Sequence, residues 1–150
     1  MTERAHLSVL DFCTIYEGET PAQSIARSVQ LAQEAEKLGY SRMWYTEHHN
    51  MKSIMSSSPA VLIAHIGAKT ERIRLGSGGV MLPNHSPLMV AEYYGTLATL
   101  FPDRIDLGLG RAPGTDPMTA SALARRSAEL DDVASDVAML SRWLGERPSP

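Results

Sequence analysis

Apolar residues in this chain fall into two alternating kinds of run. Four runs are short: "LSVLDF" (7–12), "RMWYT" (42–46), "IRLGSGGVM" (73–81) and "IDLGLG" (105–110). Each is rich in β-branched, aromatic or leucine residues and ends in polar residues or glycine, a pattern that predicts a strand. Between them the spacing is helical. Ile25, Val29, Ala32 and Ala35 share one face of a first helix, which stops near Leu38-Gly39, where glycine suits a left-handed cap. The second, "AVLIAHIGA" (60–68), is apolar nearly all round and is expected to be buried. A third runs from Leu88 to about Phe101, and a fourth from Met118 to Leu144 with a break within it.

Every helix opens in the same way, at Thr20-Pro21, Ser58-Pro59, Ser86-Pro87 and Asp116-Pro117. A Ser, Thr or Asp oxygen accepts from an orphaned N–H of the first turn, and proline beside it loses nothing, having no N–H to orphan. Gln23, three residues after Thr20, completes a capping box. The order is therefore βαβαβαβα, with strand starts 31 to 35 residues apart. Strands that alternate with helices imply a parallel sheet with helices packed outside. Two architectures fit, an open doubly wound sheet or part of a TIM (β/α)8 barrel, and both gather function at the C-terminal ends of the strands. A complete barrel needs eight units and about 250 residues. Four units over 1–150, read as one domain, make a (βα)4 half. Its first and last strands are then open edges that invite pairing with another chain, so a homo-oligomer is expected.

Composition narrows the partners. The 150 residues are 43% hydrophobic and 21% charged, a globular balance, with net charge −3. No Lys/Arg block exists, which argues against a nucleic-acid or anionic-membrane surface. No apolar run approaches the roughly 20 residues of a membrane span, and the N-terminus lacks the apolar core of a signal peptide. Cys13 is the single cysteine, so no internal disulfide forms and a reducing, cytoplasmic setting is expected.

The strand ends deliver Asp11, then Glu47, His48 and His49, then Gly76 to Gly79, then Gly110, Arg111 and Gly114. Neighbours on a strand point to opposite faces, so Glu47, His48 and His49 do not converge on one ion without a sharp turn. Helical His spacing and cysteine clusters are absent too, and no metal is expected. A rim histidine suits proton transfer or anion stabilisation; a histidine that caps the strand and packs under the next loop is the alternative, and one of the pair takes that role. Gly78-Gly79 offers bare backbone to a flat ring, or else marks a bulge. "GLGRAPG" (108–114) imitates a dinucleotide-binding turn with the wrong spacing. Arg111 there suits a phosphate or other anion, or a salt bridge to Glu47, Asp103 or Asp106. Asp11 either orients a histidine or caps the loop after the first strand. Cys13 reads as a packed small hydrophobe, Trp44 and Tyr45 as core or interface, and His65 as a satisfied buried histidine.

Taken together, "LSVLD", "GYSRMWYTEHHN", "SSSPAVLIAHIGAKTERIRLGSGGVMLPNHSP" and "VAEYYGTLATLFPDRIDLGLGRAPGTD" resemble the bacterial luciferase-like monooxygenases, more narrowly their single-chain branch, over about residues 6–145. The resemblance implies a TIM barrel that holds FMN at its C-terminal rim. Reduced FMN, supplied by a separate flavin reductase, and O2 would oxygenate a small organic substrate such as an aldehyde. It places the catalytic histidine on His48, a non-proline cis peptide beside the flavin on Gly78-Gly79, and the phosphate-side arginine on Arg111. Asp11, Ser77 and Gly110 fall near the ring or its ribityl chain. His49 would face into structure, with Glu47 tethering one histidine or Arg111. Two further readings use the same fold: a deazaflavin (F420)-dependent oxidoreductase, and a non-catalytic flavin-binding or interaction fragment.

Overall fold

The computed structural model describes residues 5–123 and 132–145. Its elements are β1 (Ser8–Asp11), α1 (Pro21–Lys37), β2 (Arg42–Tyr45), α2 (Pro59–Gly67), β3 (Arg74–Met81), a 3-10 turn (Leu82–Asn84), α3 (Pro87–Leu100), β4 (Ile105–Gly110), α4 (Pro117–Ala122) and α5 (Val133–Leu144). The four strands form one parallel sheet in the order β1-β2-β3-β4, so β1 and β4 are its edges. The expected (βα)4 order is present. The break expected in the fourth helix separates α4 from α5, and its middle, 124–131, lies outside the described residues.

Strand alternation assigns the two faces of the sheet. Met43, Tyr45, Leu75 and Ser77 are fully buried, in a core completed by Leu62, Ile63 and Ile66 of α2 and by Val90 and Leu97 of α3. On the other face, Leu10, Trp44, Gly76 and Gly78 adjoin: a Cβ built on Gly76 would strike the Trp44 ring, and one on Gly78 would meet Leu10 and Trp44. That face is open, leaving Leu10 50% exposed. Arg42 lies across Trp44, 4.9 Å from the ring. Arg42 and Arg74 share Asp106, with closest N···O distances of 2.6 Å each. This ion cluster sits at the strand starts, since Arg42 is level with Arg74 and Asp106 with Gly76.

Local chemistry explains several helix ends. The Thr20 hydroxyl accepts from Gln23 N–H and the Gln23 side chain accepts from Thr20 N–H at 2.8 Å, the expected capping box. Asp116 accepts from the N–H groups of Met118 and Thr119. Ser58 and Ser86, expected to cap likewise, make no side-chain cap bond. Ser58 sits at ψ 79°, away from the extended backbone that Thr20 and Asp116 adopt, and proline has already removed one orphan donor. Gly39, at φ +80°, supplies the left-handed residue after α1.

Two helix faces differ from the periodicity. The deepest face of α1 is Ser24, Ser28, Ala32 and Ala35, with Ile25 and Val29 only partly buried. Hydroxyls displaced the larger apolar residues because they satisfy the loop beneath. Ser24 donates to the carbonyls of Cys13 and Thr14, both at 2.9 Å, and Ser28 to Asp11 Oδ2. On α2, Val61 is 68% exposed and His65 is also exposed, which corrects the expectation of a helix buried all round with a buried histidine. The two are four residues apart and share the ridge that points away from the sheet.

Candidate active site

Parallel strands in one sheet bring their C-terminal ends to one rim. Phe12 follows β1, His48 follows β2, Gly78 and Gly79 lie in the outer half of β3, and Gly110 and Arg111 end β4. The registers Tyr45↔Ser77 and Met81↔Gly110 put these ends side by side.

The segment after β2 is held on both sides by alternating backbone donors. His48 N–H donates to Ser56 O and His49 N–H to Gly114 O, each at 3.0 Å. The two imidazoles therefore go to different neighbours. His48 packs obliquely on Phe12, ring centroids 5.5 Å apart at 36°. Its Nδ1 is buried and has no hydrogen-bond partner among the described residues. A buried ring nitrogen left without a partner loses its hydration uncompensated, which is what a ligand-facing atom does before the ligand arrives.

His49 turns to Glu47, whose carboxylate is completely buried. His49 Nε2 lies 2.8 Å from Glu47 Oε1, and His85 Nε2 lies 2.7 Å from the same oxygen. Glu47 Oε2 accepts the Met81 N–H at 3.1 Å. Burial alone would raise the Glu47 carboxyl, but the hydrogen bonds from His85 and His49 outweigh it and hold the group below the ordinary carboxylate range. The expected tether from Glu47 thus goes to His49, with His85 as a second arm the strand-end reading passed over. The signal was "NHSP" after the third strand, where Ser86-Pro87 was read as a helix start alone.

At β3 the register with β4 shifts between Ser77 and Val80, so the bulge reading of the glycines holds. The Gly78-Gly79 peptide is cis. Gly79 has no room for a side chain against the backbone of Leu109 and Gly108, whereas Gly78 is exposed on the open face. Ser77 is fully buried; its hydroxyl donates to Gly108 O at 2.9 Å and accepts Gly108 N–H at 3.2 Å, repairing the ladder where the bulge interrupts it. Asp11 is similarly occupied by Cys13 N–H at 2.8 Å and by Ser28, the loop-capping alternative. Gly110 abuts Met81, and Arg111 stands exposed beyond it. Glu47 and Asp106, two of the acids weighed as partners for Arg111, are engaged by the histidines and by Arg42 and Arg74.

The loop after β4 is stitched to the loops after β2 and β3. Thr115 donates to His49 O at 3.0 Å, Asn50 to Thr119 Oγ1 at 2.9 Å and Asn84 to Pro113 O at 3.0 Å. Gly114, at φ +65°, is where Glu47 O would meet a Cβ at 2.7 Å, so glycine there permits both the turn and the close approach. These contacts fix the rim before any ligand is considered.

A flat, electron-rich ring with an anionic tail fits this rim in chemical terms. It would find bare backbone at Gly78, an unpartnered imidazole nitrogen at His48 and a guanidinium at Arg111.

The sequence profile described as luciferase-like monooxygenase matches residues 7–148. A luciferase-like monooxygenase of Escherichia coli (strain K12) is 52% identical over 145 residues, covering 95% of this chain and 43% of the relative. The crystal structure of apo-MsnO8 superposes with a TM-score of 0.86 at 45% identity, over 93% of this chain and 41% of that one. The oxygenating constituent of 3,6-diketocamphane monooxygenase, from the CAM plasmid of Pseudomonas putida and in complex with FMN, gives 0.77 at 19% identity, over 91% and 39%. This chain spans less than half the length of these proteins.

Proposed function

The chain belongs to the luciferase-like monooxygenase family, and from that premise we propose that it supplies the N-terminal half of a flavin-dependent monooxygenase site. Reduced FMN and O2 are the co-substrates, a small organic molecule such as an aldehyde is oxygenated, and a separate reductase delivers the flavin. The observation that carries this reading is the buried, unpartnered Nδ1 of His48 at a rim that also presents the bare backbone of Gly78.

In this reading Gly78 and Gly79 border the flavin ring and Gly110 and Arg111 lie toward its phosphate. Asp11 and Ser77 hold the frame through the bonds already described. The flavin supplies the electrons for oxygen chemistry when bound. His48 holds or moves a proton at its ring nitrogens, a role suited to an imidazole near neutral pH. Phe12 packs obliquely on that imidazole. We further propose that the open edges β1 and β4 pair with another copy of the chain, because unpaired parallel strands expose a row of backbone donors and acceptors.

The test is direct. The purified chain is titrated with FMN and followed by flavin fluorescence. It is then supplied with photoreduced FMN, O2 and a long-chain aldehyde, with carboxylic acid as the readout. We expect saturable FMN binding, and we expect His48→Ala to keep the flavin while acid formation falls about 10²-fold or more, the usual weight of a general acid–base group. An absence of flavin binding refutes the assignment for this chain. Unchanged turnover in His48→Ala makes His48 structural.

A further inference from the structure

In the segment after β2 His48 goes to Phe12 and His49 to Glu47, and around Glu47 three potential ligands converge. Glu47 Oε1 lies 2.8 Å from His49 Nε2 and 2.7 Å from His85 Nε2, and the three ligand atoms all fall within 4.8 Å of one another. We propose that Glu47, His49 and His85 form a binding site for one first-row divalent cation of the zinc type. This goes beyond the flavin reading and does not depend on it.

The geometry is the first argument. Ligands about 2.0–2.1 Å from a zinc-type ion lie roughly 2.9–3.4 Å apart along the edges of its coordination shell. The two carboxylate–imidazole separations, 2.8 and 2.7 Å, are hydrogen-bond distances, so each imidazole would back off by about half an ångström to reach the tetrahedral edge. A set of two imidazoles and one carboxylate leaves coordination positions open and favours zinc, cobalt or iron over calcium or magnesium, which prefer all-oxygen shells.

Charge is the second. Glu47 is fully buried. The side chains its carboxylate contacts, among the described residues, are the two imidazoles. A buried carboxylate is costly without a cation close by. A divalent ion would replace two N–H donors with two coordinate bonds and supply that positive charge.

Preorganisation and access complete the argument. Met81 N–H fixes Oε2 and so aims Oε1 at the histidines, the kind of outer support that metal carboxylates use. His49 N–H is tied to Gly114 O and His85 N–H to Leu82 O, both at 3.0 Å, so each imidazole hangs from a pinned backbone. All three ligands line one end of a groove of about 590 Å³ between α2 and α3, whose walls include Val61, Tyr93 and Leu100. The open coordination positions would be reached from that groove. No metal was expected from "EHH" alone, because adjacent strand residues diverge; the third ligand came from the next strand end.

The untagged chain, stripped with chelator and dialysed, is titrated with Co2+ and followed by its visible d–d absorption. Zn2+ is then added in competition. We expect one ion per chain, an intense low-coordinate cobalt spectrum, and displacement by Zn2+. His85→Ala, at a partly exposed loop position, and Glu47→Gln should each weaken binding about tenfold or more, while His65→Ala on the exposed ridge of α2 leaves it unchanged. Far-UV circular dichroism confirms that each variant is folded, and His85→Ala decides the matter if Glu47→Gln is not. A weak, aqueous-type cobalt spectrum overturns the proposal, as does binding that survives His85→Ala.

Discussion

At Gly108 the sheet has no space for a side chain: an added Cβ would lie 2.2 Å from Ser77 O. That contact is with backbone, so neither partner can swing aside, and the Ser77–Gly108 bridge would have to open. Gly108→Ala is expected to cost about 1–3 kcal/mol, the usual range for overpacking, read as a lower midpoint in urea denaturation. A midpoint equal to the parent's would show that the bulge yields easily. Asp106 makes a pH prediction. Burial pushes its carboxyl up, but the Arg74 and Arg42 hydrogen bonds push it down further, so the folded value lies below the ordinary one. A depressed carboxyl stabilises fully above the unfolded value, about 3.9, and loses that contribution as pH falls through the folded value. Asp106→Asn lacks it. The stability gap between parent and Asp106→Asn should therefore be widest near neutral pH and close as pH falls below about 4. A gap constant with pH would mean the Arg42–Asp106–Arg74 cluster contributes no charge-dependent stability.

Among elements, α1 separates a working cap from a nominal one. Thr20 and Gln23 satisfy each other's backbone donors, whereas Ser86 opens α3 without a side-chain cap bond. Thr20→Ala should cost about 0.5–2 kcal/mol, and Ser86→Ala close to nothing, in paired thermal or urea unfolding. Equal costs would mean the capping box is idle in solution. The same contrast shows what the pattern of residues could convey. Strand positions, helix order and the Thr20 and Asp116 caps are local chemistry and were legible. Ser24 and Ser28 were not, because their burial answers to Cys13, Thr14 and Asp11 across a loop. His48 was legible as a strand-end imidazole. Its separation from His49, and the arrival of His85 on Glu47, depend on which way each side chain leaves a turn, and that is fixed only by contacts such as Gly114 O to His49 N–H. Val61 and His65 were misjudged because apolar composition shows how much of a helix can be buried, not which ridge has something to pack against.

For the whole molecule, the open face is the main uncovered apolar surface of the sheet. Leu7, Leu10 and Phe12 on and around the β1 edge are 59%, 50% and 39% exposed. If that edge and face associate as proposed, the chain should sediment as a dimer or larger species at micromolar concentration. Leu10→Lys should shift it toward monomer, since a charge on an edge strand opposes pairing. Parent chain that sediments as monomer throughout would remove the edge-pairing reading while leaving the fold untouched.

The register shift in β3 behaves like a half-twist in a ribbon. Before it, odd-numbered Leu75 and Ser77 look into the core; after it, even-numbered Val80 and Leu82 do. A chain shortened by one residue at positions 78–79 would match two steps on β3 to two on β4 and pair as an unbroken ladder, with Val80 still turned inward but without the extra residue that sets bare backbone at the rim. The histidine at position 85 would keep its side of the sheet, so such a deletion would be felt at the glycines themselves and not at the outermost loop.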